Sequence, residues 1–163
     1  MEFIAREAGI GKGTVYEYFE SKDRLFEEIF KYSIEEFRLG LKGSIDQGET
    51  IEERLKNCSR YNVEFLNNHM DLMQIAMQVN MLSKEVRVQL FAEHKIILKL
   101  FHEMVHVAKL KGEIRGDLDE ELASYCIAGT LDLFSKLRVL MDPQPIHEID
   151  HQAIVDVVLK GLQ

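Results

Sequence analysis

His102-Glu103-Met104-Val105-His106 is a string with the spacing of an active centre. On a helix, residues four apart share a face, so both imidazoles could hold zinc while Glu103 acts as general base. A catalytic zinc also needs a third protein ligand. The extended pattern would place Gly at 109 and His at 112, where this chain has Lys109 and Gly112. Glu120 and Glu121 follow downstream, outside the Asn-Glu setting such a ligand usually has. The string therefore reads as two helix-surface or pocket-lining histidines, with a zinc hydrolase as the enzymatic alternative. A metal bound here would suit sensing better than hydrolysis. The sequence has no glycine-rich phosphate loop, serine elbow or Cys-x-x-Cys. Two cysteines, Cys58 and Cys126, make no disulfide framework and read as buried free thiols in a reducing compartment. No catalytic residue, resident metal or cofactor is assigned.

The elements that must carry these residues are helices. Of 163 residues, 46% are hydrophobic, enough for a real core in one domain or in a small head with a body. The formal net charge of −8 excludes binding nucleic acid through bulk charge, so any DNA contact must be local. No apolar run approaches the roughly 18 residues that span a bilayer, and a cytoplasmic protein is expected. Leu25, Phe26, Ile29, Phe30, Ile34, Phe37 and Leu41 recur at three and four, which predicts an amphipathic helix from Lys22 to about Leu41, broken by the polar stretch from Gly43 to Gly48. Thr50 and Glu53 form a capping box for the next helix, which turns Ile51, Leu55, Cys58, Tyr61 or Asn62, Phe65 and Leu66 inward. Ser83 caps a long helix that ends before Gly112. Asp119 caps another, from Glu120 to Met141, which is apolar on nearly every side and should be covered on two faces. A last helix follows Asp150. No stretch alternates with period two. The fold class is all-α, with residues 1–43 as a head plus connecting helix and 44–163 as a helical body.

The head is the stretch from Phe3 to Phe26. It predicts a short helix from Glu2 to Ala8 with Ile4, Ala5 and Ala8 on one face, a turn at Gly9, Ile10 and Gly11, and a second helix from Lys12 to Phe19. Ser21 caps the third helix. Val15 and Phe19, four apart, pack inward. Gly13 lets a backbone approach closely, the hydroxyls of Thr14 and Tyr16 suit phosphate oxygens, and Lys22 adds a charge at a helix start. Residues 1–24 nevertheless carry four cations against five anions.

This string resembles the DNA-binding segment of TetR/AcrR-type transcriptional regulators. The resemblance rests on Ala5, Ala8, Gly9, Lys12, Gly13, Thr14, Val15, Tyr16, Tyr18, Phe19, Ser21, Lys22, Asp23 and Leu25 at the family's spacing. It implies that Thr14, Tyr16, Tyr18 and Lys22 contact the DNA backbone and that Lys12 and Gly13 lie nearest the bases. Family members carry a further helix and a basic leader before the point that matches Met1. The chain is thus either part of a longer regulator or a dimeric small-molecule-binding module that has lost DNA binding.

The same resemblance implies double-stranded operator DNA as partner, a homodimer through the last two helices, no membrane, and a small, mostly apolar effector inside the body that releases a repressor from its operator. Tyr61, Phe65, Phe101 and Tyr125 are candidate pocket walls on that analogy. Met73 and Met77 join them because methionines at 70, 73, 77 and 81 could form an adaptable wall, or plain core.

Overall fold

The computed structural model describes residues 1–72 and 83–162, and the regular structure among them is helical. In chain order the helices are α1 (Glu2–Glu7), α2 (Lys12–Tyr18), α3 (Lys22–Asp46), α4 (Ile51–Asn68), α5 (Lys84–Leu110), α6 (Glu120–Lys136) and α7 (His151–Leu162). Side chains cap four of them where the sequence predicts. Ser21 Oγ accepts from Arg24 N, Ser83 Oγ from Val86 N and Asp119 Oδ1 from Leu122 N. Thr50 and Glu53 close their reciprocal box. Gly112, at φ +71°, ends α5 in the left-handed conformation that glycine tolerates.

Four expectations are corrected. Helix α3 runs through Gly43 to Asp46 instead of stopping near Leu41. A glycine inside a helix costs about 1 kcal/mol, and burying Leu41 and Ile45 on either side of it contributes about 1.5–3 kcal/mol each. Ile29 is exposed, because the inward face of α3 is set by Glu27, Phe30, Ser33 and Leu41, and residue 29 falls to the side of that row. Cys126 is exposed, and only Cys58 is buried; burial pushes the Cys58 thiol up to about 12, so it stays protonated and inert. After Lys136 the run towards Met141 is a π-helical turn, Leu137–Met141, which carries Val139 into a second small core.

The main core joins the C-terminal half of α3 to α4, α5, α6 and α7 through Leu41, Leu55, Phe101, Met104, Val105, Ile127, Leu131 and Val155. Gly40 marks the closest approach of α3 to α4. A Cβ there would meet the ring and hydroxyl of Tyr61, so a larger residue must displace that side chain from its place between the helices.

His151 opens α7 at 9% exposure, with Nδ1 2.9 Å from the buried Ser59 hydroxyl. Burial, and next the Arg60 charge, hold its imidazole below the ordinary 6.5. The unfolded chain therefore takes up a proton at a pH where the folded one does not, and stability falls as pH drops below about 6.5. Thermal unfolding between about pH 7.5 and about pH 5 should show a falling Tm, with a shallower slope in His151→Gln.

Candidate nucleic-acid interface and body cavities

Helix α1 ends in a Schellman turn: Ile10 N donates to Ala5 O at 3.0 Å and Gly9 N to Arg6 O at 3.1 Å, with Gly9 at φ +67°. The turn aims α2 across α1. Seven residues are too few for a helix to persist alone, and α2 is held by Val15, which is 4% exposed, with Phe19 half-buried beside it. Ala5 supplies the buried position on α1, while Ala8, expected inside, is exposed. Ala8 keeps the helical bond to Ile4 O at 3.0 Å, but its side chain at the helix end is left uncovered.

Every head residue assigned to DNA contact lies on the outer surface. Lys12, Gly13, Thr14 and Lys22 are exposed, as are Tyr16 at 46% and Tyr18 at 77%. Their hydroxyls and charges are free to reach a duplex backbone. Lys12 Nζ rests 3.4 Å from Glu2, and Arg24 is turned to Glu27 at 2.6 Å. Lys22 has no acidic partner among the described residues.

Helix α3 leads from this surface into the body, where two adjoining cavities lie between α3, α4, α5 and α6. The smaller, about 160 Å³, is lined by Phe30, Ile34, Phe37, Phe65, Leu66 and Ile97, with Ser33, Ser135 and Lys136 among its polar residues. The larger, about 410 Å³, is lined by Leu41, Leu98, Phe101, Tyr125, Ala128 and Gly129. Phe37, Asn62, His94, Ile97 and Asp132 belong to both walls. Two charged clasps hold α3 to α5 at either end of this stretch. Glu27 Oε1 accepts from Ser83 N at 3.2 Å, and Arg38 Nε faces Glu93 Oε2 at 3.2 Å. Bonds from Ser83 and then Arg24 hold the Glu27 carboxyl below its ordinary 4.5.

Of the proposed wall residues, Phe65, Phe101 and Tyr125 line these cavities. Tyr61 lines neither: it stacks on Phe37, lies tilted against Phe65 and donates its hydroxyl to Glu36 O at 3.2 Å. Met73 and Met77 lie outside the described residues. Sequence reasoning placed Phe37 on the inward stripe of α3 but did not assign it, His94 or Asp132 to a cavity wall, which forms only when α3, α5 and α6 pack. Asn62 left a readable signal, a polar residue at an inward position of α4.

The histidine string lies on α5. His106 Nδ1 is 3.0 Å and His102 Nε2 3.9 Å from Glu120, so α6 brings up an acid that the sequence left ambiguous. Lys109 Nζ sits 3.5 Å from the same carboxylate, occupying with a cation the place a metal would need. Among the described residues no group of His, Cys, Asp or Glu is arranged to hold a metal ion.

A helix-turn-helix head with an exposed outer face, joined by one long helix to an all-α body with half-open cavities, is the architecture of a DNA-binding regulator. Residues 1–29 match the family model described as bacterial regulatory proteins, tetR family. The head of the chain therefore carries that family's DNA-binding segment. The chain is 26% identical over 160 residues to the fatty acid metabolism regulator protein of Bacillus subtilis (strain 168), covering 98% of this chain and 82% of that one. The solved fatty acid degradation regulator FadR from Bacillus halodurans is 27% identical with a TM-score of 0.69, over 96% of this chain and 80% of that one. FadR from Bacillus subtilis in complex with stearoyl-CoA superposes with a TM-score of 0.70 at 24% identity, over 98% of this chain and 87% of that one, a likeness of fold. No helix among the described residues is long and apolar enough to cross a membrane.

Proposed function

We propose that the chain is a non-enzymatic, cytoplasmic repressor that binds a two-fold operator as a homodimer and leaves it when an acyl thioester fills the body. The observation that carries this reading is the double duty of α3. It begins four residues after Tyr18 and, over its next turns, supplies Phe30, Ser33, Ile34 and Phe37 to the cavity wall. A helix transmits displacement along its axis, and Lys22 to Phe37 spans about 22 Å at 1.5 Å per residue. A ligand that spreads α3 from α5 against the two clasps shifts the head at the far end. The fatty-acid names of the relatives support an acyl chain as the occupant, and the aromatic and aliphatic walls suit one. The ligand changes DNA affinity only through unequal binding to the two positions of α3, and operator DNA must weaken ligand binding by the same factor.

Dimerisation through α6 and α7 fits their exposed apolar side chains. Leu122 and Leu133 on α6, Leu137 in the π-helical turn after it and Val157 on α7 face outward from a single chain, and an open groove lies between the helices. This accounts for the apolar surplus of α6, whose second face the body does not cover.

Fluorescence anisotropy with the DNA upstream of the gene tests the reading. Long- and medium-chain acyl-CoA should release the DNA, and free CoA should not. Release by neither would remove the acyl-thioester effector. The four cations against five anions in residues 1–24 favour one second reading, a dimeric ligand-binding module without DNA binding. Acyl-CoA binding with no DNA binding even at low salt would establish that reading instead.

A further inference from the structure

Asn62 stands on α4 at 7% exposure, in the wall common to both cavities. Its amide oxygen Oδ1 is buried and has no hydrogen-bond partner among the described residues. A buried carbonyl that has lost water and gained no donor is costly and uncommon in folded proteins. Other inward polar groups of this body are answered. Ser59 meets His151 at 2.9 Å and Ser135 donates to Leu131 O at 2.8 Å, while Arg38 Nε and Glu93 Oε2, buried without a hydrogen bond, at least compensate each other as an ion pair at 3.2 Å. The neighbours of Asn62 in the shared wall do not offer the missing donor. Asp132 is a carboxylate already held by Lys136 at 2.7 Å. His94 commits Nδ1 to Leu90 O at 2.9 Å. Neither residue makes a hydrogen bond to Asn62 Oδ1.

We infer that the effector carries a hydrogen-bond donor, either a hydroxyl on its chain or an amide N–H of its thioester arm, and places it against Asn62 where the cavities meet. This rests on the acyl-thioester reading and adds what that reading lacks, a polar group that fixes the chain's depth and rejects plain hydrocarbon. A site built around an unpaired acceptor discriminates strongly against a ligand without the donor, because the acceptor then stays unpaired.

Asn62→Leu keeps the volume and removes the amide. Calorimetric titration of the full chain and of this variant with decanoate, decanoyl-CoA and a set of hydroxydecanoyl-CoA isomers tests the inference. The variant should lose about tenfold or more in affinity for the donor-bearing ligand and little for decanoate. Loss confined to a hydroxydecanoyl-CoA assigns the donor to the chain; loss shared by decanoyl-CoA assigns it to the arm. Equal affinities of both proteins for every ligand overturn the anchor and leave the acyl-thioester reading standing, whereas no binding of any acyl-CoA by the wild type overturns both. The ligand-free variant should melt at or above the wild-type temperature, since it sheds an unpaired polar group. A lower melting temperature would mean that the amide is bonded in the free protein, and the anchor falls.

Discussion

Leu133→Glu combined with Val157→Glu should leave a folded monomer that no longer holds its operator. Both residues are largely exposed in a single chain, at 62% and 66%, so the charges cost the protomer little. Across a two-fold interface the same patch is presented by both copies, so four acidic side chains would be buried against an apolar face. Operator binding depends on both heads acting together, one helical turn of DNA apart. Losing that linkage should weaken binding by about 100- to 10,000-fold. Sedimentation measures the mass, circular dichroism the retained helix, and anisotropy the affinity. A monomeric variant that binds the full operator as tightly as the wild type would separate dimerisation from DNA binding.

The second large effect is expected at α2 and the start of α3, where two kinds of contact can be told apart by salt. Thr14→Ala with Tyr16→Phe removes two neutral hydroxyls aimed outward. Each hydrogen bond to a charged phosphate contributes about 1.5–3 kcal/mol, so the pair should reduce affinity by at least about a hundredfold. Because no cation is lost, the slope of log K against log salt should stay unchanged. Lys22→Gln should instead reduce that slope by about one per head, or about two per dimer, with a smaller loss of affinity at low salt. The shallow slope expected of the wild type follows from its composition. Arg24 is committed to Glu27, and Lys12 must leave Glu2 to reach a phosphate. A steep slope unaffected by Lys22→Gln would move the phosphate contacts elsewhere.

On the proposed reading, cavity and head are coupled through α3, and the two clasps set how freely it can move. Glu27 is the more telling of them. It is a charged residue on the buried face of an amphipathic helix, and its carboxylate joins the Arg24 guanidinium to the first residues of α5. A buried ion of this kind adds little net stability but fixes one arrangement of the helices over others.

Much of the architecture was legible because it is written locally. Capping residues announce themselves one turn ahead of the amides they bind, so Ser21, Thr50, Ser83 and Asp119 marked four helix starts. The head was legible for the same reason: within Phe3 to Phe26, sequence neighbours are spatial neighbours, and Gly9 needs only its own backbone geometry to be recognised. The three-and-four spacing of apolar residues predicts which face of α3 turns inward, but it placed Ile29 inside and gave no inward role to Glu27, whose partner Ser83 lies 56 residues away.

What the sequence determined by itself was therefore the class of fold, the helix starts and the outward surface of the head, each set by interactions within a few residues. The tertiary structure alone decided that Gly43 would be overridden by the burial of Leu41 and Ile45, and that Glu120 would reach His106. It also decided that Asn62, His94 and Asp132 would share one wall. These outcomes depend on which helix faces which. Side chains from distant parts of the chain compete there for the same volume and the same hydrogen bonds, and no local pattern encodes the winner.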